Sequence, residues 1–374
     1  MIYFDNSATT YPKPESVRRA MADALVRCGA NPGRSGHRMA MRTAEAVFHA
    51  RQTAADFFHA PAVENVIFTS GCTQAVNMAL KGRLRPGDHA VISCMEHNAV
   101  YRPITALARS GITYTVARVF PGDDARTLEA FASCIKANTR LIVCMQASNV
   151  WGVRLPVEQL TQFAHDRGIE ILVDAAQSAG VVPIDLSQTP IDYLCCAGHK
   201  GLYGPMGTGL LIANGTRLDP LIEGGTGSRS ASPEQPEEYP DRLESGTPNT
   251  PGIIGLGAGI RFVQQRGVAS IFRSEMQLAR ALHRALSRNP RIALYTPEPD
   301  DAHFVPVISF CERGVPSEQT AEKLNRRDIA VRAGLHCAPL AHTWAGTMET
   351  GAVRVSFSVW NRSAELSALI AALA

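Results

Sequence analysis

The sequence has no apolar run that approaches the roughly 20 residues needed to span a bilayer, so it predicts no transmembrane helix. Its opening residues, MIYFDNSATTYPKPE, contain no basic stretch followed by an apolar one, and we expect no secretory signal. The nine cysteines include no CxxC pair, and a disulfide framework is not expected in a chain of 374 residues. We therefore expect a reduced, cytoplasmic setting and no metal site.

The chain also lacks a strong charge of one sign. Its net charge is +3 and its basic residues are scattered, so the composition does not indicate binding to nucleic acid or to an anionic membrane. It has no internal repeat and no low-complexity segment, and 45% of its residues are hydrophobic, as in ordinary globular proteins. A length of 374 residues predicts two domains.

Short β-rich runs alternate with helical patterns through the first half of the chain. This alternation predicts an α/β fold with a mostly parallel sheet between helices, and ligands bind such sheets beyond the carboxyl ends of their strands. The runs, in order, are ENVIFTS, CTQAVNMALKG, HAVISC, AVYRPITALARSG, ITYTVARVF, LEAFASCIKANT, RLIVCMQAS, VEQLTQFAHDRG and IEILVDAAQ.

A long segment rich in Gly, Pro, Ser and Glu, residues 223–251, predicts an irregular connection. After it, GIIGLGAGIRFVQQRG and EMQLARALHRALSRN are typical of helices, and HFVPVISFCE and AVRVSFSVW are typical of strands. We therefore predict a large domain over residues 1–250 and a smaller α+β domain over residues 251–374. The N-terminal segment is expected to pack with the smaller domain.

Two residues at the ends of apolar runs indicate pyridoxal 5'-phosphate (PLP) chemistry. Asp174 closes IEILVD, where a buried carboxylate needs a cationic partner such as a protonated pyridine nitrogen. Lys200 follows IDYLCCAGH, where burial would lower its pKa and favour Schiff-base formation. Gln177 could bind the ring hydroxyl. Alternatively, Asp174 caps a helix and Lys200 is a solvated loop lysine.

Two further residues follow strands. Thr73 opens a helix at TSGCTQAVN, where free backbone N–H groups form an anion site, although a stabilising helix cap is an equal alternative. His97 follows HAVISC, where its ring could stack on a planar cofactor or move a proton. A lone histidine is more often a structural group.

Eight motifs in order give the chain its resemblance to a known family. The chain resembles the class V aminotransferase group of fold-type I PLP enzymes over nearly its whole length, and within that group the SufS-like branch of the cysteine desulfurases. The motifs are YFDNSATTYPKP, TSGCTQAVN, EHNAV, ASNVWG, VDAAQSAG, AGHKGLYGPMGTG, RLESGTPNTPGIIGLGA and RAGLHCAP.

The resemblance implies a role for each matching residue. Lys200 would carry PLP and move the Cα proton, with His97 stacked on the ring, and Asn149 and Arg354 would contact the substrate. Thr226 would reach the phosphate of the partner subunit, so that the active site spans a homodimer interface. The implied cofactor-binding residues are Cys72, Thr73, His97, Asn149, Asp174, Gln177, His199, Lys200 and Thr226.

The same resemblance places Cys337 at the position of the catalytic cysteine. A thiolate there would take the sulfur of L-cysteine as a persulfide and leave L-alanine. By itself Cys337 would more often be a small buried residue. The short loop of the SufS-like branch suggests a dedicated sulfur-acceptor protein.

Three positions depart from the family pattern. Gly198 stands where the best-known members have a phosphate-binding serine, so one phosphate hydrogen bond is expected to be missing or supplied by the backbone. Asn98 replaces a second histidine after His97, and Cys72 replaces a threonine found in many relatives.

Other functions remain open at this point. A selenocysteine lyase is the nearest alternative, because selenium leaves more readily than sulfur. Another class V enzyme, an aminotransferase, epimerase or C–S lyase, would use Lys200 and Asp174 without needing a thiolate at Cys337. A regulatory protein on a decayed PLP fold is a third possibility, which the intact set of site residues argues against.

Overall fold

The computed structural model describes residues 1–33 and 35–373. Its strands, in chain order, are β1 (Ile2–Tyr3), β2 (Val66–Thr69), β3 (His89–Ser93), β4 (Thr113–Ala117), β5 (Thr139–Met145), β6 (Glu170–Asp174), β7 (Tyr193–Ala197), β8 (Gly209–Ala213), β9 (Ile292–Leu294), β10 (Val307–Glu312), β11 (Ile329–Ala330) and β12 (Val353–Ser356). Its α-helices are α1 (Glu15–Arg27), α2 (Arg38–Phe58), α3 (Cys72–Arg83), α4 (Asn98–Ala108), α5 (Asp124–Ser133), α6 (Val157–His165), α7 (Thr250–Arg266), α8 (Val268–Ser287), α9 (Ser317–Asn325), α10 (Pro339–Ala345) and α11 (Ser363–Leu373).

Seven strands form the central sheet, in the spatial order β2-β8-β7-β6-β5-β3-β4. Strand β8 runs antiparallel to both of its neighbours, and the other neighbouring pairs are parallel. The predicted α/β class with a mostly parallel sheet is therefore confirmed. The carboxyl ends of β3, β5, β6 and β7 lie at one edge of the sheet, where open α/β sheets bind their ligands.

Helices cover both faces of this sheet, and its inner strands are largely buried. Strands β3, β7 and β8 are buried at every position, whereas a strand with one solvated face alternates between buried and exposed. One face packs against Val76 of α3 and Ile104 of α4, and the other packs against Phe58 of α2 and Leu160 of α6. Burying one large apolar side chain in this way contributes about 1.5–3 kcal/mol.

A second sheet of three antiparallel strands, in the order β12-β10-β9, lies in the C-terminal part of the chain. Strand β1 pairs with β11 in parallel, and Asp5 forms a β-bridge with Ser356 at the end of β12. The N-terminal segment is thus joined to C-terminal strands. Helix α7, which spans the predicted boundary, packs on α1 and α2. The division into residues 1–250 and 251–374 stays a prediction.

The predicted irregular connection lies between β8 and α7. Residues 214–249 form neither helix nor strand, and the helix begins at Thr250, one residue before the predicted segment ends. Side-chain hydrogen bonds stabilise part of this connection. For example, Gln235 Nε2 donates a hydrogen bond to Ser245 Oγ at 2.8 Å. Thr226 lies in this connection, outside any helix or strand.

Candidate active site

A cavity of about 350 Å³ opens at the carboxyl ends of four neighbouring strands. His97 follows β3, Asn149 follows β5, Asp174 ends β6 and Lys200 follows β7, so the parallel sheet gathers residues that are far apart in sequence. Nine of the predicted site residues line this cavity: Cys72, Thr73, His97, Asn149, Asp174, Gln177, His199, Lys200 and Arg354.

Lys200 lies in the turn after β7 and is half-buried. Burial lowers the pKa of its amine, and the nearby Asp174 carboxylate partly opposes this shift. Two backbone hydrogen bonds close the turn, from Tyr203 N to Lys200 O and from Gly204 N to Gly198 O, both at 2.8 Å. Because the pKa is lowered, more of the amine is neutral and able to attack a carbonyl carbon.

Gly198 is required by its neighbour Thr208. A Cβ atom at position 198 would lie 2.3 Å from Thr208 Oγ1 and 2.9 Å from Thr208 O, which is closer than real contacts allow. Thr208 Oγ1 is itself fixed, because it donates a hydrogen bond to Pro205 O at 2.6 Å. The space that a serine side chain would need is therefore already filled by Thr208.

The N-terminal segment holds the turn that carries Lys200. The backbone carbonyl of His199 accepts hydrogen bonds from Thr10 N at 3.1 Å, Thr9 Oγ1 at 3.1 Å and Lys13 Nζ at 2.7 Å. Thr10 Oγ1 lies 3.1 Å from Lys200 O and accepts from Lys13 Nζ at 2.7 Å. Burial lowers the pKa of Lys13 to about 8. Together these contacts fix both peptide groups on either side of the Lys200 backbone.

Asp174 is 4% exposed and faces the cavity. Its Oδ1 accepts hydrogen bonds from Ala176 N at 2.9 Å and from Cys72 Sγ at 3.3 Å. Gln177, three residues on, donates from Nε2 to Ser7 O at 3.1 Å, which ties this loop to the N-terminal segment. The first turn after β6 thus presents a carboxylate and an amide on the same wall.

His97 caps the N-terminus of α4, where its Nδ1 accepts a hydrogen bond from Ala99 N at 3.0 Å. Burial lowers the pKa of His97 to about 4, with Asp174 opposing the shift and Lys200 adding to it. The ring is therefore neutral at physiological pH, with its proton on Nε2 because Nδ1 is an acceptor. A neutral ring with a free Nε2–H is compatible with both roles that the sequence allowed, stacking on a planar cofactor and proton transfer.

Arg354 is buried in β12 and is held on two sides. Its Nη2 donates to Asp5 Oδ1 at 2.7 Å, and its Nη1 donates to Asn149 O at 3.0 Å. Its Nε is buried without a partner among residues 1–33 and 35–373, and so is Asn149 Oδ1. A guanidinium that is fixed by two neighbours and keeps a free N–H is suited to binding a carboxylate.

Cys337 lies in a short loop between β11 and α10 and is exposed. Asn149 Nδ2 donates to His336 O at 2.8 Å, and Asn98 N donates to Cys337 O at 2.7 Å, so the loop is anchored to the cavity wall. Both His336 and Cys337 have positive φ angles, 49° and 57°, a conformation that costs roughly 1–3 kcal/mol per residue. The Cys337 Sγ is 3.8 Å from Arg332 Nη2, and Arg332 lines the cavity.

Thr226 is the predicted cofactor residue that the structure does not bring to this cavity. It lines a separate cavity of about 410 Å³ with the apolar side chains of Phe48 and Ile222, which are 50% and 56% exposed. Ser70 and Gln74 line both cavities, so the two lie next to each other.

Comparisons with known proteins agree with this geometry. The profile of the family described as aminotransferase class-V matches residues 2–369. The chain belongs to this family.

A class V relative from Methanothermobacter thermautotrophicus, called a probable cysteine desulfurase, is 32% identical over 379 residues, covering 98% of this chain and 92% of the relative.

Other class V relatives differ in length from this chain. A probable cysteine desulfurase from Mycolicibacterium paratuberculosis is 32% identical over the whole chain, but the chain spans only 55% of that protein.

The apo structure of a cysteine desulfurase from Thermococcus onnurineus NA1 superposes with a TM-score of 0.91 at 31% identity, covering 100% of this chain and 93% of that one. The fold-type I architecture is thereby confirmed.

Class V aminotransferases depend on PLP, and the residues of this cavity fit that cofactor. His199 Nδ1 is buried without a partner among the described residues, and burial lowers the pKa of His199 to about 4. The cavity includes Thr73 in the first turn of α3, where backbone N–H groups lack helical partners and attract phosphate. Asp174 and Lys200 complete the set, with a carboxylate for a pyridinium and an amine for an aldehyde.

Sequence reasoning did not single out three residues of the site. Lys13 contacts the His199 carbonyl, Asp5 pairs with Arg354, and Arg332 approaches Cys337. All three stand inside motifs that carried the family resemblance, YFDNSATTYPKP and RAGLHCAP, and that position was the available signal.

No helix within residues 1–33 and 35–373 combines the length and the apolar character that crossing a bilayer requires. Within the same residues, no group of His, Cys, Asp and Glu side chains is arranged to hold a metal ion.

Proposed function

We propose that this protein is a PLP-dependent cysteine desulfurase that converts L-cysteine to L-alanine and takes the sulfur on Cys337 as a persulfide. The observation that carries the proposal is the contact between the cavity and the Cys337 loop. The cavity that contains Lys200 and Asp174 is joined, through hydrogen bonds of Asn149 and Asn98, to the loop that presents Cys337. A PLP enzyme that does not abstract sulfur has no need of a thiol there.

The cavity residues divide between holding PLP and acting on the substrate. Asp174 would pair with the pyridine nitrogen, Gln177 with the ring oxygen, and Thr73 and His199 with the phosphate. Lys200 would hold the aldehyde carbon. When bound, PLP supplies an electron sink for charge at the substrate Cα.

The substrate would be held and changed by three side chains. Arg354, with its free Nε, would bind the carboxylate of cysteine, and the Lys200 amine would move the Cα proton. Cys337 Sγ would form a bond to the substrate sulfur as the substrate Cβ–S bond breaks. The balance is L-cysteine plus the Cys337 thiol giving L-alanine plus the Cys337 persulfide, with no external oxidant. Arg332 Nη2 lies 3.8 Å from Cys337 Sγ, so a positively charged side chain stands beside the reacting sulfur.

The exposure of Cys337 supports transfer of the persulfide sulfur to a separate acceptor protein. All nine cysteines are free, which agrees with a cytoplasmic setting where thiols stay reduced. The same cavity would accept L-selenocysteine, so a selenocysteine lyase is the second candidate. No contact of the described residues separates the two substrates.

The test of the proposed function is the product formed from L-cysteine. Purified protein loaded with PLP, supplied with L-cysteine and a reductant, is expected to release L-alanine and sulfide in equal amounts. Pyruvate in place of alanine would indicate a C–S lyase, and racemised cysteine would indicate an epimerase. Either product, or no turnover of cysteine, would overturn the proposal.

We also infer that the protein is a homodimer whose active sites are shared. Thr226 lies outside the cavity of its own chain, within an exposed apolar surface that includes Phe48 and Ile222. Exposed apolar side chains that group in this way are typical of protein interfaces. A second copy placed on this surface would bring its Thr226 near the phosphate end of the cavity, because Ser70 and Gln74 border both cavities.

Complementation between two inactive variants tests this arrangement. A dimer of one Lys200→Ala chain and one Thr226→Asp chain contains one site in which both residues are native. If each variant alone is inactive, mixing them with subunit exchange is expected to restore about a quarter of the wild-type activity, since half of the dimers are mixed and each has one intact site of two. Activity that stays at the level of the separate variants would contradict a shared site. Each variant exchanged with itself is the control.

A further inference from the structure

The two carboxylate oxygens of Asp174 have different surroundings. Oδ1 accepts from the backbone N–H of Ala176 at 2.9 Å and from Cys72 Sγ at 3.3 Å. No donor in residues 1–33 or 35–373 reaches Oδ2, although the side chain is only 4% exposed. Because Oδ1 is occupied by two donors on fixed elements, Oδ2 is the oxygen left available to a cation in the cavity.

Cys72 acts in this contact as a donor. It is the first residue of α3, is 8% exposed and belongs to the apolar cluster that also includes Cys195 and Ala197. Burial and the neighbouring Asp174 carboxylate raise the pKa of the Cys72 thiol well above its ordinary value. The sulfur therefore keeps its hydrogen, and the hydrogen has one acceptor within reach, Asp174 Oδ1.

We propose that Cys72 is a positioning residue whose S–H group holds the Asp174 carboxylate with Oδ2 toward the cavity and sets how much negative charge that oxygen offers to a protonated pyridine nitrogen. This inference rests on the proposed function, since it requires PLP in the cavity. Cys72 would thereby influence the protonation of the PLP pyridine nitrogen, and so its capacity as an electron sink, through the Asp174 carboxylate.

The choice of a thiol has a chemical consequence. A thiol is a weak hydrogen-bond donor, whereas a hydroxyl in the same place is a strong one. A hydroxyl would draw more of the carboxylate charge toward Oδ1 and leave less on Oδ2. With alanine the only donor to Oδ1 is the Ala176 N–H, so more charge stays available but one restraint on the side chain is lost. Serine and alanine at position 72 should therefore change the protonation of the pyridine nitrogen in opposite directions.

The experiment compares Cys72→Ser and Cys72→Ala with the native holoenzyme by ¹⁵N NMR of bound ¹⁵N-labelled PLP. The ¹⁵N shift of Cys72→Ser is expected to move toward that of a neutral pyridine, and that of Cys72→Ala toward a protonated one. The kcat for alanine formation by Cys72→Ser should fall about two- to tenfold with KM unchanged, the size of effect expected for one altered hydrogen bond.

A matched control distinguishes the effect of the Cys72–Asp174 hydrogen bond from the effect of adding any hydroxyl near Asp174. Cys196 is a buried thiol on β7, close enough to Asp174 for that carboxylate to raise its pKa, but no hydrogen bond joins the two side chains. Cys196→Ser should leave the ¹⁵N shift unchanged. The inference is overturned if both Cys72 variants keep the native ¹⁵N shift, if both move it in the same direction, or if Cys196→Ser moves it as far as they do. Melting temperatures and circular dichroism identify a variant that has merely lost its fold.

This result can be told apart from failure of the proposed function. If the native protein forms alanine from cysteine and binds PLP while the Cys72 variants behave as the control does, only the role of Cys72 is rejected. If the native protein binds no PLP, both the proposed function and the inference are rejected.

Discussion

Replacing Cys337 with alanine is expected to lower alanine and sulfide production from L-cysteine by at least about a thousandfold, because the side chain that we propose accepts the sulfur is gone. The cavity should survive, since the loop is held through backbone groups, His336 O and Cys337 O, that the substitution keeps. Alanine released from L-cysteine by the wild type and by Cys337→Ala, both loaded with PLP, measures the effect. Binding of PLP should be unchanged.

The same pair of proteins separates the two candidate substrates when L-selenocysteine is supplied. If cysteine is the substrate, the wild type turns it over and the variant does not. Turnover of selenocysteine by both proteins, with no alanine from cysteine by either, would make the protein a selenium enzyme and leave Cys337 without a catalytic role. Cys134→Ala, which changes a half-buried cysteine at the end of α5, is the control and should match the wild type.

Replacing Lys200 with alanine has the second large expected effect. No other lysine lines the cavity, so the variant has no amine there to hold PLP or to move the Cα proton. We expect turnover to fall by at least about a thousandfold and the visible absorbance of the holoenzyme to be lost. Lys200→Arg should be equally inactive, because a guanidinium keeps the charge but does not deprotonate. Lys81→Ala, at an exposed position on α3, should behave as the wild type does.

Borohydride reduction of the wild-type holoenzyme, followed by peptide mass spectrometry, checks the same assignment without a variant. The sequence has five lysines, and the modified one is expected to be Lys200. Modification of Lys13, whose amine lies against the His199 carbonyl and has a pKa lowered to about 8, would contradict the assignment.

Much of the large sheet could be predicted from the sequence, because its elements leave local signals. The alternation of apolar runs and helical patterns between residues 64 and 177 located β2 to β6 and α3 to α6. Asp174 and Lys200 stood out because each follows such a run. Strands β1 and β11 could not be predicted, since two residues carry no periodicity and their pairing joins opposite ends of the chain.

The parts of the site that sequence reasoning left out depend on contacts over long separations. The carbonyl of His199 accepts hydrogen bonds from Thr9, Thr10 and Lys13, about 190 positions earlier in the chain. No local sequence pattern predicts which backbone carbonyl will accept such bonds. Gly198 is a second case. Its departure from the family pattern could be seen in the sequence, but the reason, the Thr208 side chain in the space beside it, required the fold.

The bonding of the N-terminal segment also determines when the active site can form during synthesis. Asn6 Nδ2 donates to Ser356 O, and Ser7 N donates to Ser356 Oγ, across about 350 positions. A nascent chain exposes Asp5, Asn6 and Ser7 early, but these residues must wait for β12 to leave the ribosome before they can bond to it. Contacts of such wide separation form late in folding. The contact between Asp5 and Arg354 is therefore expected to form only after β12 has been translated, so the arginine side of the cavity is completed at the end of synthesis.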